Sequence, residues 1–462
     1  RAPGSRALAA ALTIARRLRG AAATAVVAAL WTSAATAPIL AHHFGEVAIA
    51  GPVANLVAVP AVELFALPVG LLGALVGELW PAGGDALLQL AAVVMARAGD
   101  ALVHIARWMP PVQAASPGAL DLLLYGAGLA AAAVATRGAL VARRRAALVA
   151  CAAAAALAGL WGWRAGIAPR LRGELRVAFL DVGQGDAAVI ELPGGGAWLI
   201  DAGGLPLSAG GDAAAARRAG AAPGREAVAR YLAERRIRRL DLAVLSHPHL
   251  DHYRGLAAVA RAVPIDEVWL AAPHPEQPVD AELAALLGEL AAGGTRVTSP
   301  PLGLARRQGG AALTVLAPAT LPAGGRAAAD PVLSVNDSSL VVRLEFAGRR
   351  VLFTGDIEEE GEELLAAGWP AAALRADLVK VPHHGSPTSS TAALVAAARP
   401  RWAIISCGVQ NRFRFPDPAV LARWRRAGAT VLRTDLHGTI TAVVHPDGRI
   451  TVEGMDAPAQ GP

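Results

Sequence analysis

The sequence is poor in cysteine and shows no leader at its start. Its two cysteines, Cys151 and Cys407, lie in an apolar run and in a strand-like run, so no disulfide framework is indicated and the redox compartment stays open. The chain begins without methionine, and its first residues do not show a charged segment, an apolar segment and a cleavage site in that order. We therefore expect a fragment that begins inside a longer protein.

Length and composition divide the chain into two parts. Its 462 residues are too many for one ordinary domain and suggest two to four. Ala, Leu and Val dominate up to Trp163, whereas Asp, Glu, His and Arg are frequent from Arg172 onward. The net charge of +6 fits a polyanionic partner, an anionic membrane surface or a mere excess of arginine. A membrane part followed by a soluble part is the simplest interpretation.

Four apolar runs indicate the membrane part, at residues 21–41, 47–76, 119–136 and 146–163. A bilayer core of about 30 Å needs roughly twenty apolar residues as helix. The second run contains several helix breakers or polar residues, namely Pro52, Asn55, Pro60, Glu63 and Pro68. Broken backbone survives at membrane depth only where protein or water satisfies it, so this run is expected to line a passage. The alternative is that these runs are buried helices of a soluble core.

A polar stripe lies between the second and third runs. Arg97, Asp100, His104 and Arg107 are spaced by three, four and three residues, which places them on one helical face. This face either lines an aqueous pore or belongs to a helix that lies in the membrane interface.

Arginine clusters indicate the orientation in the membrane. Arg16, Arg17 and Arg19 precede the first run, and Arg137 and residues 143–145 fill the loop before the last run. The positive-inside rule makes both clusters cytoplasmic. We therefore expect several membrane spans, of which the last delivers the soluble domain to the outer side of the membrane.

A resemblance to a known family appears in the second run. The stretch APILAHHFGEVAIAGPVANLVAVPAVELFALPVG resembles the competence-type membrane region of the ComEC family of DNA internalisation proteins. The resemblance implies a multi-pass protein of the bacterial inner membrane with its soluble domain on the periplasmic side. It also implies that the chain lacks that family's N-terminal soluble domain and some early membrane helices.

The soluble part opens with two strand-like runs. LRVAFLDVGQGDAAVIEL and AWLIDAGG predict a hairpin that enters an α/β domain. Gly185 and Asp186 lie in a Gly-rich turn that either lets backbone amides approach a phosphate or is simply tight.

The strongest chemical signal is the sequence DLAVLSHPHLDH. An apolar strand ends at Ser246, and His247, His249, Asp251 and His252 follow at once. Pro248 prevents a helix and favours a loop that wraps a cation. Imidazoles with a carboxylate suit Zn²⁺, and also Mn²⁺ or Fe²⁺.

This pattern matches H-x-H-x-D-H, and it resembles the metallo-β-lactamase superfamily. The resemblance implies an αββα sandwich, with Asp201 orienting the ligand loop and Asp356 as a bridging ligand. VKVPHHGS supplies a further ligand, either His383 or His384. His383 is preferred because it comes first after the strand.

The ligand sets imply two divalent metal ions, Zn or Mn, about 3.5–4 Å apart. His247 and His249 would hold the first ion, and Asp251 and His252 the second. Asp251, His252 and Asp356 are the catalytic candidates, since they would position a hydroxide for hydrolysis. The first site lacks an obvious third histidine: His274 is expected to be solvent-exposed, and Asp337 is the better candidate by its order in the chain.

The soluble part also resembles the ComEC-type branch of the superfamily, through DVGQGDA, VPHHGS and RTDLHGTI. That resemblance implies a nuclease that degrades one DNA strand while the other crosses the membrane, together with other DNA-uptake components. The candidate substrate-binding residues are Gly185, Asp186, Asp337, Lys380, Ser386 and Arg412. Two positions depart from the family pattern: His249 stands where many relatives carry Asp, and Phe415 stands where a histidine is usual.

The prediction is a multi-domain chain, with an all-α transmembrane region followed by an α/β metallo-β-lactamase-like domain. Its segments are a membrane domain at residues 1–165, a linker at 166–174, the hydrolase domain at 175–455 and a disordered tail at 456–462. Two alternatives stay open: a membrane-tethered hydrolase of lipid head groups or small phosphodiesters, and a transporter with an inactive metal domain. The oligomeric state is open.

Overall fold

The structure, a computed structural model, describes residues 3–44, 46–109, 111–113, 117–137, 139–204, 224–274, 279–318, 321–323, 326–328 and 330–453. The predicted tail at 456–462 lies outside these residues. The chain divides into two compact units, Arg1–Leu157 and Ala158–Pro462.

The first unit is helical. Its helices are Pro3–Phe44, Gly51–Ala58, a π-helical segment Val59–Ala66, Leu67–Gly77, Pro81–Trp108, Ala119–Arg137 and Leu140–Gly162, which runs into the second unit. Two short strands, β1 (Glu46–Val47) and β2 (Val112–Gln113), pair antiparallel.

Five helical stretches are long and apolar enough to cross a membrane: Ala23–His43, Gly51–Gly77, Pro81–Trp108, Ala119–Thr136 and Leu140–Gly162. The polar stripe lies on the third of them, and all four of its residues are exposed. Leu64, Leu75 and Leu123 are at least 70% exposed, as expected of side chains that face lipid rather than a protein core.

The proline-rich run differs from the expectation of broken backbone. Gly51–Gly77 is continuously helical, and its middle, Val59–Ala66, adopts the wider π-helical form. Pro60 lies in this segment, where the missing N–H is accommodated by a change of hydrogen-bond register instead of a break. The helix then packs closely on Pro81–Trp108, because a Cβ on Gly84 would lie 2.3 Å from the Cα of Gly77.

Within the described residues, the second unit contains seventeen strands: β3 (Leu175–Phe179), β4 (Ala187–Glu191), β5 (Ala197–Ala202), β6 (Leu242–Leu245), β7 (Glu267–Leu270), β8 (Arg296–Thr298), β9 (Ala305–Gln308), β10 (Ala311–Ala317), β11 (Leu321–Ala323), β12 (Arg326–Ala328), β13 (Val341–Phe346), β14 (Arg349–Phe353), β15 (Leu378–Lys380), β16 (Trp402–Ile405), β17 (Thr430–Arg433), β18 (Ile440–Val444) and β19 (Ile450–Glu453). One sheet has the order β19-β18-β3-β4-β5-β6-β7-β8, and the other β17-β16-β15-β14-β13-β10-β9.

Helices lie between these strands, namely Ala168–Leu171, Gly224–Arg235, Leu250–Tyr253, Leu256–Ala262, Ala281–Ala292, Glu359–Gly368, Ala371–Leu374, Ala392–Ala398, Pro418–Arg426 and Thr434–His437, with a 3₁₀ turn at Pro382–Gly385. One apolar cluster joins both sheets, for example Trp198 with Phe353. Two further clusters join each sheet to its own helices. The packing is therefore helix, sheet, sheet, helix, and the predicted fold class is confirmed.

This topology brings strand ends together. β5 to β8 run parallel in one sheet, and β14 to β17 run parallel in the other. The carboxyl ends of parallel strands are where α/β folds place their polar loops. The loops after β5, β6, β14, β15 and β16 carry most of the residues described next.

Candidate metal centre

The histidine loop begins where β6 ends. Ser246 and His247 are almost fully buried, and His249 has extended backbone before the helix Leu250–Tyr253 begins. Because Pro248 cannot donate a backbone hydrogen bond, the chain turns here before it forms a helix. The turn brings His247 and His252 together, with ring centroids 4.1 Å apart.

Asp201 holds this loop from the end of β5. Its carboxylate accepts hydrogen bonds from the Ser246 amide at 2.7 Å and from the Ser246 hydroxyl at 2.8 Å. The same carboxylate lies 3.0 Å from His252 Nδ1. A carboxylate on one ring nitrogen orients the other nitrogen and raises its basicity, so Asp201 lies where the resemblance implied.

Four buried side chains converge beyond His252. Each of Asp186, His252, Asp356 and His384 offers one ligand atom, and these atoms lie within 4.8 Å of one another. His252 Nε2 lies 3.1 Å from Asp356 Oδ2, and His384 Nε2 lies 3.3 Å from the same oxygen. Asp251 Oδ2 approaches His384 Nε2 to 3.4 Å.

These distances fit a metal centre. Nitrogen ligands about 2.0–2.1 Å from a tetrahedral zinc ion lie roughly 3.3 Å from one another. Both carboxylate oxygens of Asp186 and the Nε2 atom of His384 are buried and make no hydrogen bond of normal geometry among the described residues; their neighbours are charged or ionisable groups of the cluster itself, such as the Lys380 ammonium beside Asp186 and the Asp356 carboxylate beside His384. Buried polar atoms are rarely left unsatisfied, and a divalent cation would satisfy all three at once.

Lys380 is the only lysine in the sequence and lies inside this cluster. Its ammonium pairs with the carboxylate of Asp186, donates to the Gly355 carbonyl at 2.9 Å and lies 3.2 Å from Asp356 Oδ1. It is 4% exposed. The ammonium thus lies between two carboxylates of the site and offsets one of their two negative charges, an internal position rather than the predicted phosphate contact.

The two neighbouring histidines after β15 have different surroundings. His384 is buried, with Nδ1 2.9 Å from the Ser406 carbonyl oxygen and Nε2 in the cluster. His383 is half-buried, and its Nδ1 lies 3.1 Å from Glu358 Oε1. The geometry therefore favours His384, whereas the sequence preference was for His383.

His247 and His249 form a pair beside the cluster. His247 Nε2 lies 2.9 Å from His249 Nδ1. His247 is fully buried, while His249 is exposed. Two imidazole nitrogens at this distance offer a second set of ligand atoms, although they are not members of the four-residue group above.

Burial and neighbouring charges shift the pKa values in the cluster in opposite directions. Burial lowers the pKa of His252, but the carboxylates of Asp356 and Asp201 outweigh it and hold this pKa well above its usual range. Burial raises the pKa of Asp356, but His252, His384 and Lys380 hold it well below its usual range. Burial and the charge of His252 lower the pKa of His247. The Asp356 carboxylate is thus ionised and available to a cation, whereas burial raises the pKa of Asp201.

Gly185, a predicted substrate-binding residue, lies at a close contact between two loops of the protein. Gly185 has φ +133°, and a Cβ there would lie 2.3 Å from the carbonyl oxygen of Asp251. Glycine is needed at this position because the two loops touch.

Asp337 does not reach the cluster. Its Oδ1 accepts from the amides of Glu358 and Gly361 at 2.7 and 2.9 Å, at the start of the helix Glu359–Gly368. Ser386 is 3% exposed and lies 2.8 Å from the Thr388 hydroxyl. Neither residue is placed to bind substrate.

The last two residues considered in the sequence analysis are His274 and Arg412. His274 was expected to be exposed, but it is buried, with Nε2 2.8 Å from the Leu333 carbonyl oxygen. Arg412 is exposed, and its guanidinium lies 4.6 Å from the ring centroid of Phe413.

Asp186 was assigned to substrate binding, yet it lies among the ligand atoms. One feature of the sequence could have indicated this role. Asp186 follows a Gly-rich turn after β3, just as the other ligands lie in loops that follow strands. Phe413 was missed, since nothing in the sequence indicated that it stacks near the site.

Comparison with known proteins identifies the class of each part. Residues 180–409 match the metallo-beta-lactamase superfamily, and residues 6–139 match the family described as competence protein. The chain therefore combines a competence domain with a metallo-beta-lactamase domain, and the resemblance to the ComEC family is confirmed. Together with the five apolar helices, the competence match indicates a multi-pass membrane protein.

Particular relatives share this pattern. The chain is 30% identical over 275 residues to "ComE operon protein 3" of Bacillus subtilis, which is 59% of this chain and 34% of that protein. It is 37% identical over 105 residues to "Competence protein ComA" of Neisseria gonorrhoeae, which is 23% of this chain and 15% of that protein. The aligned part of the chain thus spans 34% and 15% of the length of these two relatives.

Among solved structures, the metallo-beta-lactamase fold protein YhfI from Bacillus subtilis aligns with 60% of this chain and 99% of its own, at 11% identity and a TM-score of 0.35.

Proposed function

We propose that this chain is an inner-membrane DNA uptake protein whose soluble unit is a metal-dependent nuclease. The observation that carries the proposal is the buried group of Asp186, His252, Asp356 and His384, whose ligand atoms lie within 4.8 Å of one another. The competence match of the membrane unit and the relative named "Competence protein ComA" support DNA as the substrate.

The charge of the cluster supports two divalent cations. The cluster and its immediate neighbours contain four carboxylates, those of Asp186, Asp201, Asp251 and Asp356, and one ammonium, that of Lys380, which pairs with Asp186 and Asp356. The group therefore carries −3 when its carboxylates are ionised and its imidazoles are neutral. Two divalent ions would turn this into a small positive charge that suits an anionic phosphodiester.

Each side chain then has a definite task. Divalent ions, when bound, activate water and polarise the phosphoryl oxygen. Asp201 holds the His252 ring through Nδ1, so that Nε2 stays directed at the ligand group. Lys380 keeps Asp186 and Asp356 ionised in a buried place. Asp356 lies between the two halves of the site, since it contacts both His252 and His384.

The soluble unit is proposed to lie on the outer side of the membrane, where it degrades one strand while the other is transported with the help of other uptake components. The arginines that flank the helices support this orientation. A cysteine placed at Val332, which is 83% exposed, tests it. Labelling of intact spheroplasts by a membrane-impermeant maleimide is expected, and labelling only after lysis contradicts the orientation.

The nuclease activity is tested with the full chain in detergent. Single- and double-stranded DNA should be cleaved with Mn²⁺ or Zn²⁺, and cleavage should cease with a chelator. Asp356→Asn should lower the rate by at least about 100-fold, because it removes a charged ligand. Asp447→Asn is the matched control, since Asp447 is an exposed aspartate away from the cluster.

The alternatives give different outcomes. Hydrolysis of glycerophosphodiesters without cleavage of DNA would select the lipid head-group hydrolase. Normal DNA uptake by the Asp356→Asn variant, in a transformable host that lacks its own uptake protein, would select transport with an inactive metal domain.

A further inference from the structure

The loop at residues 408–416 borders the metal centre and presents aromatic and basic side chains. It follows β16 and ends at Pro416, before the helix Pro418–Arg426. A recess of about 450 Å³ lies against it, lined among others by Gln410, Arg412, Arg414 and Phe415. This volume is in the range of small-molecule sites.

The loop is anchored to two of the ligand loops of the centre, those that carry Asp186 and His384. At its start, the Gly408 amide donates to the Gln184 side chain at 3.2 Å, two residues before Asp186. At its end, the Asp417 amide donates to the Gly385 carbonyl at 2.8 Å, next to His384. The position of the loop is therefore set by the same segments that carry the ligand atoms.

Asn411 makes the loop rigid from inside. Its side-chain amide donates to the carbonyl oxygens of Gly408 and Phe415 at 3.0 and 2.7 Å, and its Oδ1 accepts from the Phe415 amide at 2.9 Å. Arg414 has φ +59°, which is a sparsely populated backbone region for a residue other than glycine. Such strain persists only where the surroundings impose it, and it is concentrated at functional loops.

The loop presents a column of stacked groups. The rings of Phe413 and Phe415 are nearly parallel, at 17° and with centroids 5.4 Å apart. Arg412 lies over Phe413, and His383 meets the Phe415 ring edge to face at 5.7 Å. The column thus leads from the exposed Arg412 to the histidine next to the ligand His384.

This column is not part of the hydrophobic core. Phe413 is 44% exposed, whereas most large aromatic side chains of the soluble unit are buried in its clusters. Neither Arg412 nor Arg414 pairs with a carboxylate among the residues that the structure describes. An exposed aromatic stack flanked by unneutralised guanidinium groups is the arrangement that binds single-stranded nucleic acid: bases stack on the rings, and phosphates meet the arginines.

We propose that residues 408–416 form a nucleobase platform, on which a base of the substrate strand stacks at the Phe413 end of the column and displaces the Arg412 guanidinium from over that ring. Arg412 and Arg414 contact the phosphates on either side of that base. The platform makes the site selective for single-stranded polynucleotide over small phosphodiesters, and this inference rests on the proposed nuclease function.

The test measures binding by the full chain in detergent with a chelator present, so that cleavage does not interfere. The probes are a fluorescein-labelled oligothymidylate and the same backbone with abasic sites, followed by fluorescence anisotropy. Because stacking of one base on an aromatic ring contributes substantially to binding affinity, Phe413→Ala should weaken binding of the natural strand about tenfold. The abasic strand should bind the wild type and this variant equally weakly.

Two controls distinguish stacking from a structural effect. Phe413→Trp keeps an aromatic face and should bind within about twofold of the wild type. Val409→Ala removes another exposed apolar side chain from the same loop, 70% exposed, and should also have no effect. Unchanged binding by Phe413→Ala, or an equal loss for natural and abasic strands, would overturn the proposal.

A parallel assay separates this inference from the proposed function. Cleavage of the abasic strand with Mn²⁺ reports on the metal centre without any aromatic group that could stack on Phe413. Phe413→Ala should leave this rate unchanged while it raises the KM for oligonucleotide. A wild type that hydrolyses neither substrate, yet discriminates natural from abasic strand, would refute the nuclease function and leave the platform supported.

Discussion

Single alanine substitutions at two adjacent histidines should show which of them is the metal ligand. His384 and His383 have nearly the same left-handed backbone, with φ +53° and +47°, so alanine costs a similar strain at both positions. Only His384 points its Nε2 atom into the cluster, 3.3 Å from Asp356. We therefore expect His384→Ala to lose metal and activity, and His383→Ala to keep both.

The magnitude follows from the ligand set. Structural zinc sites contribute about 10–16 kcal/mol, so one of four ligands accounts for roughly 2.5–4 kcal/mol, which is two to three orders of magnitude in affinity. His383 makes one hydrogen-bond contact, with Glu358, in a partly exposed place. Its loss should cost about 1 kcal/mol of stability or less and change metal affinity by less than about threefold.

The assay is isothermal titration of Zn²⁺ or Mn²⁺ into each metal-stripped variant of the full chain, with circular dichroism as a check on folding. DNA cleavage is measured in parallel. Metal loss in His383→Ala together with wild-type affinity in His384→Ala would refute the assignment of the ligand. Equal loss in both would show that the turn, not the imidazole, carries the effect.

Three further outcomes are expected. Gly185→Ala should reduce metal content and activity, because its Cβ would meet the Asp251 carbonyl at 2.3 Å, whereas Gly194→Ala, also at positive φ but with open space, should not. Asp201→Asn should weaken metal affinity about 10- to 100-fold in the same titration. Burial raises the pKa of Glu362 from 4.5 to about 7, so the stability that its protonated form contributes is present below about pH 4.5 and is lost as the pH rises through 7. Urea unfolding of residues 158–462 measures this effect. Between pH 5 and 8 the free energy of unfolding of the wild type should fall by up to about 3 kcal/mol relative to that of Glu362→Gln. Equal pH dependence of the two free energies would contradict this.

The isolated soluble unit is suitable for that last measurement because it has its own core. All three hydrophobic clusters are formed by residues between Leu175 and Val452. Glu362 is fully buried and accepts hydrogen bonds from the amides of Ser390 and Thr391, so its titration reports on this core.

The division into a membrane part and a soluble part could be predicted because it depends on composition. Long apolar runs need no tertiary information to be recognised as helices that can cross a bilayer. The effect of Pro60 could not be predicted, since a proline either breaks a helix or shifts its hydrogen-bond register, and packing decides which.

The histidine loop was also accessible from the sequence. His247, His249, Asp251 and His252 lie within six residues, so their proximity is a property of the chain itself. Asp201 could be placed by its position at the end of a strand, together with the family resemblance.

The remaining members of the site depended on the tertiary structure. Asp186, Asp356 and His384 lie on loops of two different sheets, and Lys380 is the last residue of β15. Only the packing of those sheets brings these residues within reach of His252. Sequence order could not tell which of two adjacent histidines faces inward, because the backbone dihedral angles of the turn decide it. Nor could it show that a lysine is neutralised in the interior instead of facing a phosphate. The ligands that lie close together in the sequence could therefore be predicted from it. For residues that are distant in the sequence, the packing of the two sheets decides where each side chain points and what it contacts.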